Sequence, residues 1–234
     1  MNTVDFPAAQ ALIPAAVAER GTQVDDAWLH TALPAVLAAR TPSYLTHAEL
    51  VRVMEWKLKT GKFRPGLLAK VTSNKEDAVQ RCSKAAFQAL QGPAGPATLR
   101  AALTALTELV GVGPATASAV LCIFKPTHCA FMSDQSLDGL LGSRNYTAKE
   151  CLDLAALCRA KAKELGGAWT AQSVQRAFWA SRVAPAAAAA AAAAGGGSAA
   201  AASSGGGGSA AAAAASGGGA AASGSGSKKR KRTE

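Results

Sequence analysis

The chain comprises 234 residues, with 25 Lys and Arg set against 15 Asp and Glu for a formal net charge of +10 at pH 7. A balance of that sign favours polyanionic partners, and it is not confined to one end: from Pro185 onward five cations and Glu234 contribute +4, leaving +6 on residues 1–184. The opening MNTVDF is acidic where a secretory leader would be basic, and the alanine-rich stretch behind it is broken by Pro7, Pro14, Glu19 and Arg20, so a secreted reading is set aside and an intracellular chain is expected.

Taken in chain order, the apolar periodicity predicts helices at residues 8–19 and 26–39. Thr46 with Glu49, Ser73 with Glu76 and Thr147 with Glu150 each have capping-box spacing ahead of a helical apolar pattern. Trp56, Lys57, Lys59, Lys62, Phe63 and Arg64 form the densest cationic and aromatic patch of the body. Two arrangements are open for it. Its cations can hold phosphates while an aromatic ring stacks on a base, or a cationic last turn complements its own helix dipole while Trp56 and Phe63 fill the core.

Leu99, Ala102, Leu103, Leu106 and Leu109 then share one face of a helix over residues 98–109. Gly111 ends it, since glycine reaches positive φ without a Cβ penalty, and Gly113 lets another backbone approach the turn. Pro114 suits the first turn of a second helix, which runs to about Phe124 with Ala117, Val120, Leu121 and Phe124 inward. Unbonded amides at such a helix start bind anions. Asp134 follows, with a short helix through Leu141, and two roles again stay open: an N-cap supplied by Ser133 or Asp134, or a carboxylate in a cleft. Asp138 is expected in solvent or paired with Arg144. A last helix covers residues 171–182, and no alternating run argues for a strand. Residues 1–184 are therefore read as one all-α domain with a real core, pinched into two lobes about a cleft.

The stretch LVGVGPATASAV resembles a helix-hairpin-helix, whose hydrophobic-Gly-hydrophobic-Gly turn grips a DNA phosphate without reading sequence. Together with Asp134, nineteen residues beyond Ala115, it is similar to the hairpin and aspartate of the DNA glycosylase superfamily. A wider likeness over residues 44–140, carried by MEWKLKTGKFRP, GVGPATASAVL and FMSDQ, is to the Amun-like nuclear proteins of eukaryotes within that superfamily. The resemblance implies an all-α, glycosylase-like domain whose hairpin lies at about residues 98–124 and binds double-stranded DNA as a monomer. It implies phosphate binding by Val110, Gly111, Val112, Gly113, Ala115 and Thr116, with Lys59, Lys62 and Arg64 as further DNA contacts. Asp134 would stabilise the sugar cation and orient water after the base is flipped out. The position of the lyase lysine is similar to Ala115, which has no amine, so the expected activity is that of a monofunctional DNA N-glycosylase in base excision repair, leaving the abasic site uncut. The departure to Ser133, Asp134, Gln135 and Ser136, with no glycine in the preceding loop, keeps an alternative open: a catalytically inactive DNA-binding or regulatory nuclear protein.

Cys82, Cys122, Cys129, Cys151 and Cys158 are expected as thiols. Some superfamily members hold an iron-sulfur cluster in four cysteines, but only Cys151 and Cys158 share its first spacing, and His30, His47 and His128 lack partners at metal-ligand spacing. No metal or other cofactor is expected. From residue 185 to 227 the chain is almost wholly Ala, Gly and Ser, which predicts a disordered linker. Its nine alanines at 186–194 are too few for a stable isolated helix or a membrane span. The linker ends in Lys228, Lys229, Arg230, Lys231 and Arg232, a nuclear-import-like run that implies an import receptor as partner and a nuclear location.

Overall fold

The structure, a computed structural model, describes residues 4–186, 188 and 189. Among the described residues every regular element is helical. The helix expected at 8–19 is two, α1 (Phe6–Ala11) and α2 (Ile13–Glu19), divided at Leu12. Pro14 has no N–H to continue the ladder across that point. Residues 26–39 belong to a longer run, α3 (Gln23–Ala27), a π-helical turn (Trp28–Ala32) and α4 (Leu33–Ala39). The widened turn falls just before Pro34, which cannot donate to the preceding turn.

In α5 (His47–Thr60) the capping box is present: the Glu49 N–H donates to Thr46 Oγ1 while the Thr46 N–H donates to Glu49 Oε2. After α6 (Leu67–Thr72), α7 (Glu76–Ala89) departs from expectation. Its N-cap is Lys75, without a side-chain bond, because Ser73 donates back to the Lys70 carbonyl at 2.8 Å and the Glu76 carboxylate accepts the His47 N–H at 2.7 Å. Both candidate capping groups are engaged elsewhere. Next come α8 (Pro96–Thr107), α9 (Pro114–Phe124) and α10 (Asp134–Ser136), the last running on through a π-helical turn (Leu137–Leu141). The chain of helices closes with α11 (Ala148–Leu165), which carries the Thr147–Glu150 capping box, and α12 (Ala171–Val183).

The core is organised on α9, where every residue from Ala115 to Ile123 is buried. A helix apolar all round belongs inside a bundle, and α4, α5, α7, α8 and α11 pack about it. Phe124, at its end, stacks on Phe87 with ring centroids 4.0 Å apart. The second organising helix, α12, packs on α1, α2 and α11. A satellite cluster of Leu12, Ala16 and Val17 against Trp179 and Ala180 joins its far end to the N-terminal helices. Ala188 and Ala189, both bonded to the Pro185 carbonyl, pack partly buried on this cluster, so the tract expected to be linker starts with a helical turn. The rest of that tract, including Lys228, Lys229, Arg230, Lys231 and Arg232, lies outside the described residues.

All five cysteines are buried and unpaired, and burial pushes the Cys129 and Cys158 thiols up to about 12. Among the described residues no helix is long and apolar enough to cross a membrane.

Candidate functional site

The turn between α8 and α9 is shaped by Gly111, whose φ of +76° is closed to most side chains. A Cβ at Gly111 would meet Lys70 Cβ at 2.8 Å and the Val71 backbone nitrogen at 3.2 Å, so the turn is pressed onto α6. Asn74, just beyond α6, holds it there: its side-chain amide accepts the Val110 N–H and donates to the Val110 carbonyl, both at 2.9 Å. Gly113 differs. Nothing in the protein lies within 4 Å of where its Cβ would be, so the close approach expected at Gly113 is made at Gly111 instead, and Gly113 faces open space.

That space is a cavity of about 300 Å³, at the lower end of the range typical of small-molecule sites. It gathers four stretches far apart in the chain: residues 57–67 from the end of α5 onward, the α8–α9 turn with the first turn of α9, residues 131–135 leading into α10, and Tyr146. Gly111, Gly113, Ala115 and Thr116 line it, whereas Val110 and Val112 do not. The reason is hydrogen bonding: Val110 is tied to Asn74, and the N–H of the buried Val112 donates to the Leu109 carbonyl. Thr116 donates its N–H to the Gly113 carbonyl. The N–H groups of Gly111, Gly113 and Ala115 have no partner among the described residues.

Asp134 lines the same cavity as the first residue of α10. The cap of that helix is Ser133, which accepts the Ser136 N–H, so the carboxylate of Asp134 is not spent on capping. Its side chain is 20% exposed. Tyr146 donates to its Oδ1 at 2.8 Å, and Arg144 bridges it, at 3.7 Å, to Asp138, at 2.7 Å. Tyr146 adopts φ +53°, the sole non-glycine residue at positive φ among those described. Strain of that kind persists only where surrounding contacts impose it, and here the phenol is held between Asp134 and Arg64, whose guanidinium lies 5.1 Å from the ring centroid. Burial and the bond to Asp134 push the phenol pKa up, which keeps Tyr146 a donor.

The stretch that carries Asp134 is fixed from behind by buried polar side chains. Ser118 of α9 accepts the Met132 N–H at 3.0 Å, Gln172 of α12 accepts the Phe131 N–H at 2.9 Å, and Gln175 donates to the hydroxyls of Ser133 and Ser136. Buried polar groups satisfied in this way specify one geometry. Behind them, Asp26 and Arg176 form an ion pair against His30, whose ring lies 5.9 Å from that of Trp56. Burial lowers the His30 pKa to about 3, so the imidazole is neutral.

Among the cations, Lys62 and Arg64 line the cavity and are exposed, but Lys59 does not line it. Lys59 pairs instead with Asp25 at 2.7 Å. Trp56 is buried, while Phe63, offered to the core by the sequence pattern, is 69% exposed. Lys57 also lines the cavity, and Tyr146, Ser118, Gln172 and Gln175 were not among the residues the sequence singled out. Of these only Lys57 had a signal, its place in the cationic patch. Among the described residues no group of three or more His, Cys, Asp or Glu is placed to hold a metal ion. No protein-family model, curated protein or solved structure matches the chain.

Proposed function

We propose that the chain is a nuclear member of the DNA glycosylase superfamily that binds duplex DNA through a helix-hairpin-helix and hydrolyses the bond between a base and its deoxyribose. The observation that carries the reading is the convergence of three unbonded backbone N–H groups, at Gly111, Gly113 and Ala115, with the carboxylate of Asp134 on one cavity. Amides of the turn hold a phosphate and set the register on the duplex without reading sequence. Lys62 and Arg64 add charge beside them. The base is flipped into the cavity against the apolar Phe131 and Met132. Asp134 then faces the cation that develops on the sugar and orients the attacking water, with Tyr146 and Arg144 fixing the carboxylate. Lys228, Lys229, Arg230, Lys231 and Arg232 would serve as the address read by an import receptor.

A second reading is favoured by one observation: the Asp134 carboxylate is already engaged by Tyr146 and Arg144. In it the module binds DNA and catalyses nothing. The test is incubation with duplexes carrying uracil, alkylated or oxidised bases, then alkali to cut abasic sites, with Asp134→Asn in parallel. Base release that depends on Asp134 supports the glycosylase. Binding without product on every substrate leaves the DNA-binding module, and no binding at low salt removes both readings.

A further inference from the structure

A second cavity, also of about 300 Å³, lies toward the other end of α9: Thr127 lines it, beyond the end of that helix at Phe124, whereas Gly113 and Ala115 of the first cavity stand at the helix start. The 11 residues of α9 put roughly 16 Å between its two ends, and the two cavities share no lining residue. The wall of the second is cationic. Arg159 and Lys163, one turn apart on α11, both line it, and no carboxylate does. Neither forms an ion pair with any described residue, and Glu164, the acid next to Lys163, turns to Lys161 at 2.6 Å. Like charges at that spacing weaken a helix. A cation in the last turn complements the helix dipole, which accounts for Lys163 but not for Arg159 a turn earlier. Arg159 is half-buried and held in place, since it donates through Nη1 to the His128 carbonyl at 2.8 Å. The rest of its planar fork of donors has no described partner. Lys125 stands nearby: burial lowers the His128 pKa, and Lys125 and Arg159 lower it further. Trp169 lines the same cavity, half-buried, with its indole set edge-to-face on Phe6 at 6.1 Å between centroids. Gly166 and Gly167 leave the opening bare, because a Cβ on either would meet nothing within 4 Å. A fixed guanidinium, a mobile ammonium and a fixed indole on one small cavity without an acid suit an anion joined to a planar ring.

We propose that this second cavity binds a free nucleoside monophosphate, with the phosphate on Arg159 and Lys163 and the base stacked on Trp169. A phosphomonoester carries nearly two negative charges at neutral pH, which two unpaired cations match. A guanidinium fork takes phosphate oxygens in pairs, while the lysine adds a point charge. The volume stands at the lower end for small-molecule sites and suits one nucleotide rather than a strand. Every base offers a π-face to an indole, so affinity depends on the presence of the ring more than on its identity. The site binds without making or breaking a bond. It does not rest on the DNA reading of the first cavity and stands or falls apart from it.

The test is calorimetric titration of the full chain at low salt with adenosine 5′-monophosphate, inorganic phosphate and adenosine in turn. The nucleotide should bind in a single site and about tenfold more tightly than either part alone. Lys163→Gln, at an exposed position, and Trp169→Leu, which keeps an apolar group against Phe6, should each weaken it by about tenfold. Lys149→Gln makes the same change on the same helix, at a lysine paired with Asp153 and outside the cavity, and should leave affinity unchanged. Where the tryptophan change unfolds the chain, Lys163→Gln alone decides. No binding at millimolar nucleotide, phosphate bound as tightly as the nucleotide, or affinity that survives Lys163→Gln overturns the proposal. Affinity lost on Lys62→Gln instead would seat the nucleotide in the first cavity and overturn it equally.

Discussion

Gly111 and Gly113 stand two residues apart in one turn, yet the same substitution at each should have opposite consequences. An alanine at Gly111 must adopt φ +76°, which costs roughly 1–2 kcal/mol for an L-residue. Its Cβ would stand 2.8 Å from Lys70 Cβ and 3.2 Å from the Val71 backbone nitrogen. Neither is the free end of a flexible side chain, so α6 must shift, an overpacking penalty of roughly 1–3 kcal/mol. Gly111→Ala should therefore lose roughly 2–5 kcal/mol, a large part of a typical domain's stability. At Gly113, φ is −93° and no atom lies within 4 Å of the new Cβ, so Gly113→Ala should stay within about 0.5 kcal/mol of the parent. Its methyl group projects where a phosphate would approach, and duplex binding should weaken by about tenfold, or 1.4 kcal/mol. Urea unfolding gives the first quantity, read as a shift of midpoint at constant slope, and fluorescence anisotropy with labelled duplex gives the second. Equal stability losses at the two positions would refute the packing argument. Stable Gly113→Ala with undiminished binding would refute the placement of the phosphate.

Three further outcomes follow from the same geometry. Replacing Lys62 and Arg64 together by alanine should reduce the slope of log affinity against log salt by roughly 2, while Lys59→Ala, whose amine is paired with Asp25 away from the cavity, should leave it unchanged; titrations at several salt concentrations decide it. Arg176→Ala strands the buried carboxylate of Asp26 and should cost about 3 kcal/mol by urea unfolding, more than the paired change Asp26→Asn with Arg176→Met. In acid, His30 is held at about 3 against an ordinary 6.5, so the unfolded chain takes up the proton first and stability should fall as pH drops from 6.5 toward 3. Glu150 acts in the same sense over a lower window. Burial opposes its charge, but the Ser143 hydroxyl and the Thr147 and Asn145 N–H groups outweigh it and hold the carboxyl at about 2 against 4.5. Asp26, raised by burial above its ordinary value, works the other way. Replacing His30 with Gln should flatten the upper limb of the unfolding profile, and Glu150→Gln the lower one.

What could be read ahead of the structure was whatever depends on near neighbours in the chain. Thr46 with Glu49 and Thr147 with Glu150 form the caps their spacing predicts, because each pair satisfies itself within one turn. Ser73 and Glu76 have the same spacing and form none, because His47, 29 residues earlier than Glu76, offers its N–H to that carboxylate. The site divides along the same line. Gly111, Pro114 and the unbonded amides were legible, since a turn between two helices is a local object. That Val110 would be withdrawn from it was not, for the withdrawal is the work of Asn74, 36 residues away. The same holds for the cations: the patch from Lys57 to Arg64 was visible as a run, but which members face the cavity is decided by Asp25, which draws Lys59 off and leaves Lys57 behind. The strained Tyr146 had no local signal at all, because its conformation answers to Asp134 and Arg64. Chemistry at this site therefore depends most on residues whose state is set from a distance, so substitutions at Asn74, Asp25 and Tyr146, none of them conspicuous in the chain, should perturb the cavity as surely as changes to the glycines that mark it.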